Sequence, residues 1–372
     1  MAMRSVLVRA LEWRARRFRD PAARLQFLRR NAMQAGRRQD GRRSTQEFAH
    51  HVRWVSVMAV TLLAALTNSH TTDVLPKISP HQPKANSPVW LVQTTPQFDL
   101  YSNGLRIEER YATSTAPRRY LAFSSGHSGP IASAAEWRTE PAGIVYHTTE
   151  SHLPPFEENQ NRSIRRSGAG LLAYVSRRHS YHFVIDRFGR VFRVVGESDY
   201  ANHAGNSVWA DQFWIYINLN QSFFGVAFEA RSVSSGGEAP VNAAQVYAGR
   251  VLTQMLRARY GILARNCVAH AQVSVNPANH GVGYHLDWAA NLPFAALGLP
   301  DNYQLALPSV KLFGFQAGVT STVPGLDAAL AEVRRDAARQ GLPVGRYREE
   351  LQKRYRDAIR ALRGKDAYQE YN

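Results

Sequence analysis

Short apolar runs separated by polar stretches set the architecture of this chain. Gly143–His147 (GIVYH), Tyr181–Ile185 (YHFVI), Arg190–Val195 (RVFRVV) and Phe223–Ala230 (FFGVAFEA) are short and rich in β-branched and aromatic residues. That length and composition predict strands. Asp186-Arg187-Phe188-Gly189 reads as a turn between the second and third, and Cys267–His270 as a last short strand. Between these runs the period changes. Ile164, Leu171, Leu172 and Val175 within Ser163–Arg177 fall at helical spacing, as do Val246, Tyr247, Val251, Leu252, Met255 and Leu256 within Ala243–Tyr260. Strands interleaved with helices predict an α/β domain with a central mixed β-sheet flanked by helices.

The flanks are different in kind. Upstream, Val89–Val92 and Phe98–Tyr101 predict short strands, with a turn at Ser102-Asn103-Gly104, and a polar stretch runs from Ala112 to Trp137. Downstream, Leu292–Val310 is apolar and contains prolines, and helices are predicted over Gly325–Gln340 and Arg346–Arg363. The last helix carries a narrow stripe of Leu351, Tyr355, Ile359 and Leu362. The stripe suits docking on another helix; a solvated helical hairpin is the blander alternative. A basic face there could also rest on anionic wall polymer or membrane.

Composition alters this picture through the placement of charge. The 372 residues carry a formal net charge of +17. Residues 1–53 hold 14 arginines against four acidic side chains, which leaves +10; the other 32 basic and 25 acidic residues leave +7. The total alone would suggest nucleic acid, but a localised Arg-rich leader has a nearer explanation. Trp54–Leu66 (WVSVMAVTLLAAL) is uncharged and almost wholly apolar. As a helix it would span about 20 Å, against about 30 Å for a bilayer core, and so fits a signal h-region. An uncleaved inner-membrane anchor and a buried core helix are the alternatives. Arg37, Arg38, Arg42, Arg43 and Arg53 on its N-terminal side orient the rest of the chain towards export. A start at Met33 would leave a conventional signal n-region. The expected location is periplasmic or cell envelope, with no nucleic-acid partner. The chain then divides into a leader (1–53), a signal or anchor segment (54–68), a linker with a small β extension (69–140), a catalytic-type domain (141–300) and a helical C-terminal extension (301–372).

One cysteine, Cys267, excludes an intramolecular disulfide framework and a cysteine-based zinc finger. Thirteen histidines are the richer source of metal ligands. His147 and His270 each end a predicted strand, so one sheet edge could present both to a single ion. Catalytic zinc takes three protein ligands and keeps a position open. The loop after His270 offers His280, His285 and Asp287 for the third.

The ordered segments GIVYHTTES, SYHFVIDRFGRVFRVV, HAG, GVAFEA and AHAQVSVNP resemble the type 2 N-acetylmuramoyl-L-alanine amidases, a family that includes the peptidoglycan recognition proteins. The resemblance covers about 141–290. It implies a groove for peptidoglycan or muropeptides, a Zn²⁺ ion at its floor, and hydrolysis of the amide joining the muramoyl lactyl group to L-alanine. His147 and His270 match the first two zinc ligands. Tyr181 matches a tyrosine that assists catalysis, and Thr148 and His203 are expected to contact substrate. Glu229, two residues beyond the position where another branch of the family keeps a glutamate, is a second candidate base. The family's third ligand, Cys or Asp, lies eight to ten residues past the second histidine; here that spacing leads to His280, placed ahead of His285 and Asp287. His285 would then stabilise charge on the substrate oxygen, because Ala278 stands where a lysine is usual. That substitution and the displaced third ligand keep open a peptidoglycan-binding protein of the same fold without catalysis.

Overall fold

The apolar runs meet in one sheet. The computed structural model describes residues 88–126, 129–232, 239–318 and 323–364; the leader and the segment 54–68 lie outside them. In chain order the strands are β1 (Leu91–Thr94), β2 (Phe98–Tyr101), β3 (Arg106–Glu108), β4 (Tyr120–Ser124), β5 (Ala135–Arg138), β6 (Gly143–Thr148) and β7 (Phe183–Ile185). Next come β8 (Val191–Arg193), β9 (Val208–Ala210), β10 (Trp214–Ile217), β11 (Phe223–Phe228), β12 (Cys267–Ala269), β13 (Gly281–Val282) and β14 (Gln316–Ala317). The α-helices are α1 (Asn161–Arg177), α2 (Leu219–Ser222), α3 (Ala243–Tyr260), α4 (His270–Val273), α5 (Pro308–Phe313), α6 (Leu326–Arg339) and α7 (Val344–Gly364). None of the described helices is long and apolar enough to cross a membrane.

The large sheet runs β1-β2-β3-β8-β7-β11-β6-β12. Its centre is parallel: β11 pairs with β6 and β7, and β6 with β12. β6 and β11 are buried at every position, as parallel strands covered on both faces must be. Alternate residues serve opposite faces. Ile144, Tyr146, Phe224, Val226 and Phe228 meet Leu252, Met255 and Leu256 of α3. On the other face, Val184 and Ala227 meet Leu172 and Val175 of α1. Beside them Val145, Phe223 and Val268 pack on Tyr120, Trp209 and Tyr216.

Those last three residues belong to a second sheet, β5-β4-β10-β9, antiparallel throughout. It draws β4 and β5 from the stretch that reads as polar and β9 and β10 from between two predicted strands. Residues 91–138 therefore join both sheets: β3 pairs in parallel with β8, and β4 pairs with β10. The outer face of the second sheet (Leu121, Phe123, Ile215) packs on Val310 and Phe313 of α5, Val333 of α6, and Leu351 and Leu362 of α7. The apolar stripe of the last helix is thus spent on the core.

A buried arginine secures one wall of this arrangement. Arg118, 2% exposed, donates to the carbonyls of Gln221, Glu197 and Asp199 and lies 2.9 Å from His182 Nε2. Burial lowers its pKa to about 10, so the guanidinium stays charged at neutral pH. The backbone N–H of Gly225 donates to His182 Nδ1 at 3.0 Å, which ties this wall to β11. Replacing Arg118 with Met strands several buried carbonyls. Urea denaturation of Arg118→Met is expected to show a loss of about 3 kcal/mol; a midpoint unchanged from wild type would contradict this role.

Candidate metal centre and active site

The register of the sheet's centre places the two histidines side by side. Ala269 of β12 pairs with Tyr146 of β6, so the next residues along, His270 and His147, are neighbours at the strand ends. Their ring centroids are 4.4 Å apart. His147 is 1% exposed and His270 5%. After α4 the chain turns out and returns as Asp287, 8% exposed, between them. His147 Nδ1 lies 3.0 Å from Asp287 Oδ2, and His270 Nδ1 lies 2.8 Å from Oδ1. Among the described residues, His147, His270 and Asp287 form the group that could hold a metal ion, their donor atoms all within 4.8 Å of one another.

Electrostatics at this point favour a cation. Burial alone would raise the pKa of Asp287, but the imidazoles of His270 and His147 hold its carboxyl well below the usual carboxylate range. Burial, then the neighbouring His270, lowers the pKa of His147 to about 4, so at neutral pH its ring is uncharged. A neutral imidazole has one N–H and one lone pair. His203 Nε2 lies 3.2 Å from the carbonyl oxygen of Phe223, which can only accept, so Nε2 carries the proton. Burial and then His147 keep His203 neutral, which leaves its Nδ1 as an acceptor 3.2 Å from His147 Nε2. His147 Nε2 must then donate, and its Nδ1 lone pair faces the Asp287 carboxylate. Two acceptors 3.0 Å apart repel unless a cation or a proton lies between them. The donor set suits a divalent transition metal.

The other candidate residues have separate fates. Tyr181 stands beside the centre, its ring 5.0 Å from that of His147, with a backbone φ of 65° that is unusual for so bulky a residue. Burial, reinforced by Asp287, pushes its phenol pKa well up, so it keeps its proton. His285 is exposed and stacks on His270 at 4.7 Å. Thr148 Oγ1 donates to Glu150 at 2.7 Å and is 2% exposed, so its hydroxyl is already engaged. Glu229 lies on the same sheet face as Ala227 but beneath α1, where its carboxylate accepts from Arg187 N at 3.2 Å. Its hydrogen bonds do not join it to the histidines.

His280 is not brought to the cluster. Residues 275–282 form a small hairpin with His280 near its tip, and β13 of that hairpin pairs with β14. The His280 ring stacks on Phe315 at 4.9 Å and meets Tyr355 edge-on at 5.2 Å. The expectation that it completes the ligand set is corrected by this seat. The hairpin lengthens the chain between His270 and the carboxylate, so a count of eight to ten residues stops short of Asp287. The segment HLDW is the one signal in the sequence that points to Asp287.

The sequence model of the N-acetylmuramoyl-L-alanine amidase family, Amidase_2, matches residues 137–281. The matched segment is under half of the 372-residue chain. No curated protein matches the chain. Among solved structures, the amidase AmiD from E. coli, in complex with anhydro-N-acetylmuramic acid-L-Ala-D-gamma-Glu-L-Lys, is 20% identical. The match covers 68% of this chain and 80% of AmiD, with a TM-score of 0.34. AmpDh3 from Pseudomonas aeruginosa, in complex with anhydromuramic pentapeptide, is 22% identical over 55% of this chain and 69% of its own, with a TM-score of 0.32. The amidase LysC from Clostridium intestinale is 18% identical over 50% and 92%, with a TM-score of 0.27. His147, Tyr181, His203 and His270 all fall within the matched segment, and Asp287 lies just beyond it.

The cluster makes a direct prediction about metal content. Asp287→Ala is expected to abolish stoichiometric metal binding, whereas His280→Ala retains it, as measured by elemental analysis of the dialysed proteins. Loss of metal in His280→Ala with retention in Asp287→Ala would reverse the assignment.

Proposed function

We propose that the protein is a zinc-dependent hydrolase of the amide between N-acetylmuramoyl residues and L-alanine in peptidoglycan, acting in cell-wall turnover outside the inner membrane. The observation that carries this reading is the convergence of His147 Nδ1, His270 Nδ1 and the Asp287 carboxylate at the sheet edge of the amidase domain. Two imidazoles and one carboxylate are a common catalytic zinc set, with a position left for water or substrate. When bound, zinc supplies Lewis acidity, polarising the amide carbonyl and making water a stronger acid.

The chain's own residues do the rest. Asp287 holds a full negative charge at the centre of the site and keeps both imidazoles turned towards one point. Tyr181, with its phenol pKa raised, is a proton donor at neutral pH and not a base. Its hydroxyl is suited to hydrogen-bond the oxygen or nitrogen on which charge develops as the amide breaks. His285, exposed and stacked on His270, would stabilise charge on the substrate oxygen. Glu229, occupied by the backbone of Arg187, is left out of the proton path.

Tyr181→Phe is expected to lower kcat by about 10²-fold or more with zinc content unchanged, measured by release of stem peptides from purified murein. His147→Ala is expected to lose both zinc and activity. Wild-type protein that holds no stoichiometric zinc and releases no stem peptide would sink the proposal and favour a binding role. The export reading rests on the charge asymmetry of residues 1–53 and the apolar 54–66. Fusion of residues 1–68 to a reporter that is active only outside the cytoplasm should give an active reporter; an inactive fusion stable in the cytoplasm would refute it.

A further inference from the structure

The histidine of the HAG segment resembles a residue expected to touch substrate, but its surroundings give it other work. Its backbone is clamped: the N–H groups of His203, Ala204 and Gly205 all donate to Asn220 Oδ1, at 2.9, 2.7 and 3.1 Å. Its ring lies against β11 at Gly225, where a Cβ would come within 2.5 Å of His203 Cγ. Only glycine lets the ring lie so close. Its Nε2 is fixed on the Phe223 carbonyl at 3.2 Å. Backbone, ring face and one ring nitrogen are therefore set by three different parts of the domain. The remaining nitrogen, Nδ1, points at His147 Nε2 at 3.2 Å, with the two rings nearly perpendicular at 80°.

We infer that His203 is a positioning residue for the metal centre: it fixes the tautomer and ring orientation of His147 by accepting the Nε2 proton, so that His147 presents Nδ1 to the ion. This rests on the zinc reading above and deepens it. The other histidine ligand shows why one such contact matters. His270 Nε2 is buried with no hydrogen-bond partner among the described residues, so the hydrogen bonds that orient His270 run through its Nδ1 to Asp287. His147 is the ligand whose outer nitrogen is held, and His203 is what holds it. With both ring nitrogens engaged, His203 has neither left for substrate. Outer partners of this kind typically contribute about 10–100-fold to metal affinity.

The test measures zinc affinity of the full chain by chelator competition, independently of activity. His203→Leu removes both ring nitrogens and is expected to weaken zinc binding by about 10–100-fold. His203→Asn keeps an amide oxygen near the place of Nδ1 and is expected to recover most of that loss. Zinc affinity in His203→Leu within about twofold of wild type would overturn the inference, and so would His203→Asn binding as weakly as His203→Leu. Should His203→Leu fail to fold, the wild-type protein decides: nitrogen-detected NMR of the imidazoles is expected to show both His203 and His147 protonated at Nε2. A proton on Nδ1 of His203 would overturn the assignment. Absence of zinc from the wild-type protein would instead strike the functional reading itself, and the two failures are distinguishable.

Discussion

A carboxylate with almost no access to water sits between two imidazoles, and the geometry of the active site derives from keeping it there. Asp287 is taken out of water at a cost that only close, well-oriented partners can offset. His270, and His147 through a cation shared with the carboxylate, could supply them, and only because β6 and β12 are adjacent and parallel, so that consecutive strand ends meet in register. Parallel pairing in turn requires both faces of the sheet to be covered, which is the task of α3 on one side and of α1 with the second sheet on the other. Site and core are thus one problem: loosening the strands' cover would separate the histidines, and separating the histidines would leave the carboxylate charge uncompensated.

Strain beside the carboxylate obeys the same logic. Trp288, directly after Asp287, has φ of 56° and is 2% exposed. A bulky side chain in the left-handed region costs on the order of 1–3 kcal/mol and persists only where its surroundings over-determine it. Here they do. The indole meets Phe228 of β11 edge-on at 5.7 Å, and its carbonyl accepts from the Tyr303 hydroxyl at 2.8 Å. Asp287 O accepts from Ala271 N at 3.2 Å, which ties the returning loop to α4. Tyr181, strained in the same sense, has its ring 5.0 Å from that of His147. One such residue thus directly follows the carboxylate of the cluster and another adjoins one of its histidines.

Much of this is legible in the residues. The central strands declare themselves because full burial makes them continuous apolar runs, and the two histidines of the cluster because each ends such a run. The second sheet does not declare itself: β9 and β10 are three- and four-residue strands separated by a polar turn at Asp211. Both are wholly apolar (VWA and WIYI), but runs of three and four residues are too short to be told from a loop packed on a core. Strand alternation correctly puts Glu229 on the face of Ala227, but it says nothing of the helix that covers that face. The acidic member of the cluster shows a sharper limit. His280 has suitable chemistry at a suitable count, and what removes it is Phe315 and Tyr355, residues far along the chain. Ligand type and spacing are local properties; whether a side chain is free to ligate is not.

The same seat gives the C-terminal helices a part in the site. The loop from His270 to Asp287 leaves the sheet as α4, runs out through the 275–282 hairpin, and comes back past His285. At its outer end β13 pairs with β14, and His280 is packed between Phe315 and Tyr355, all supplied by residues beyond 310. At its inner end Ser274 Oγ accepts from His285 N at 3.0 Å and closes the loop at its neck. The hairpin between His270 and Asp287 is thus held at its outer end by residues beyond 310 and at its neck by Ser274. Part of the chain outside the family segment is therefore packed against the loop that carries Asp287.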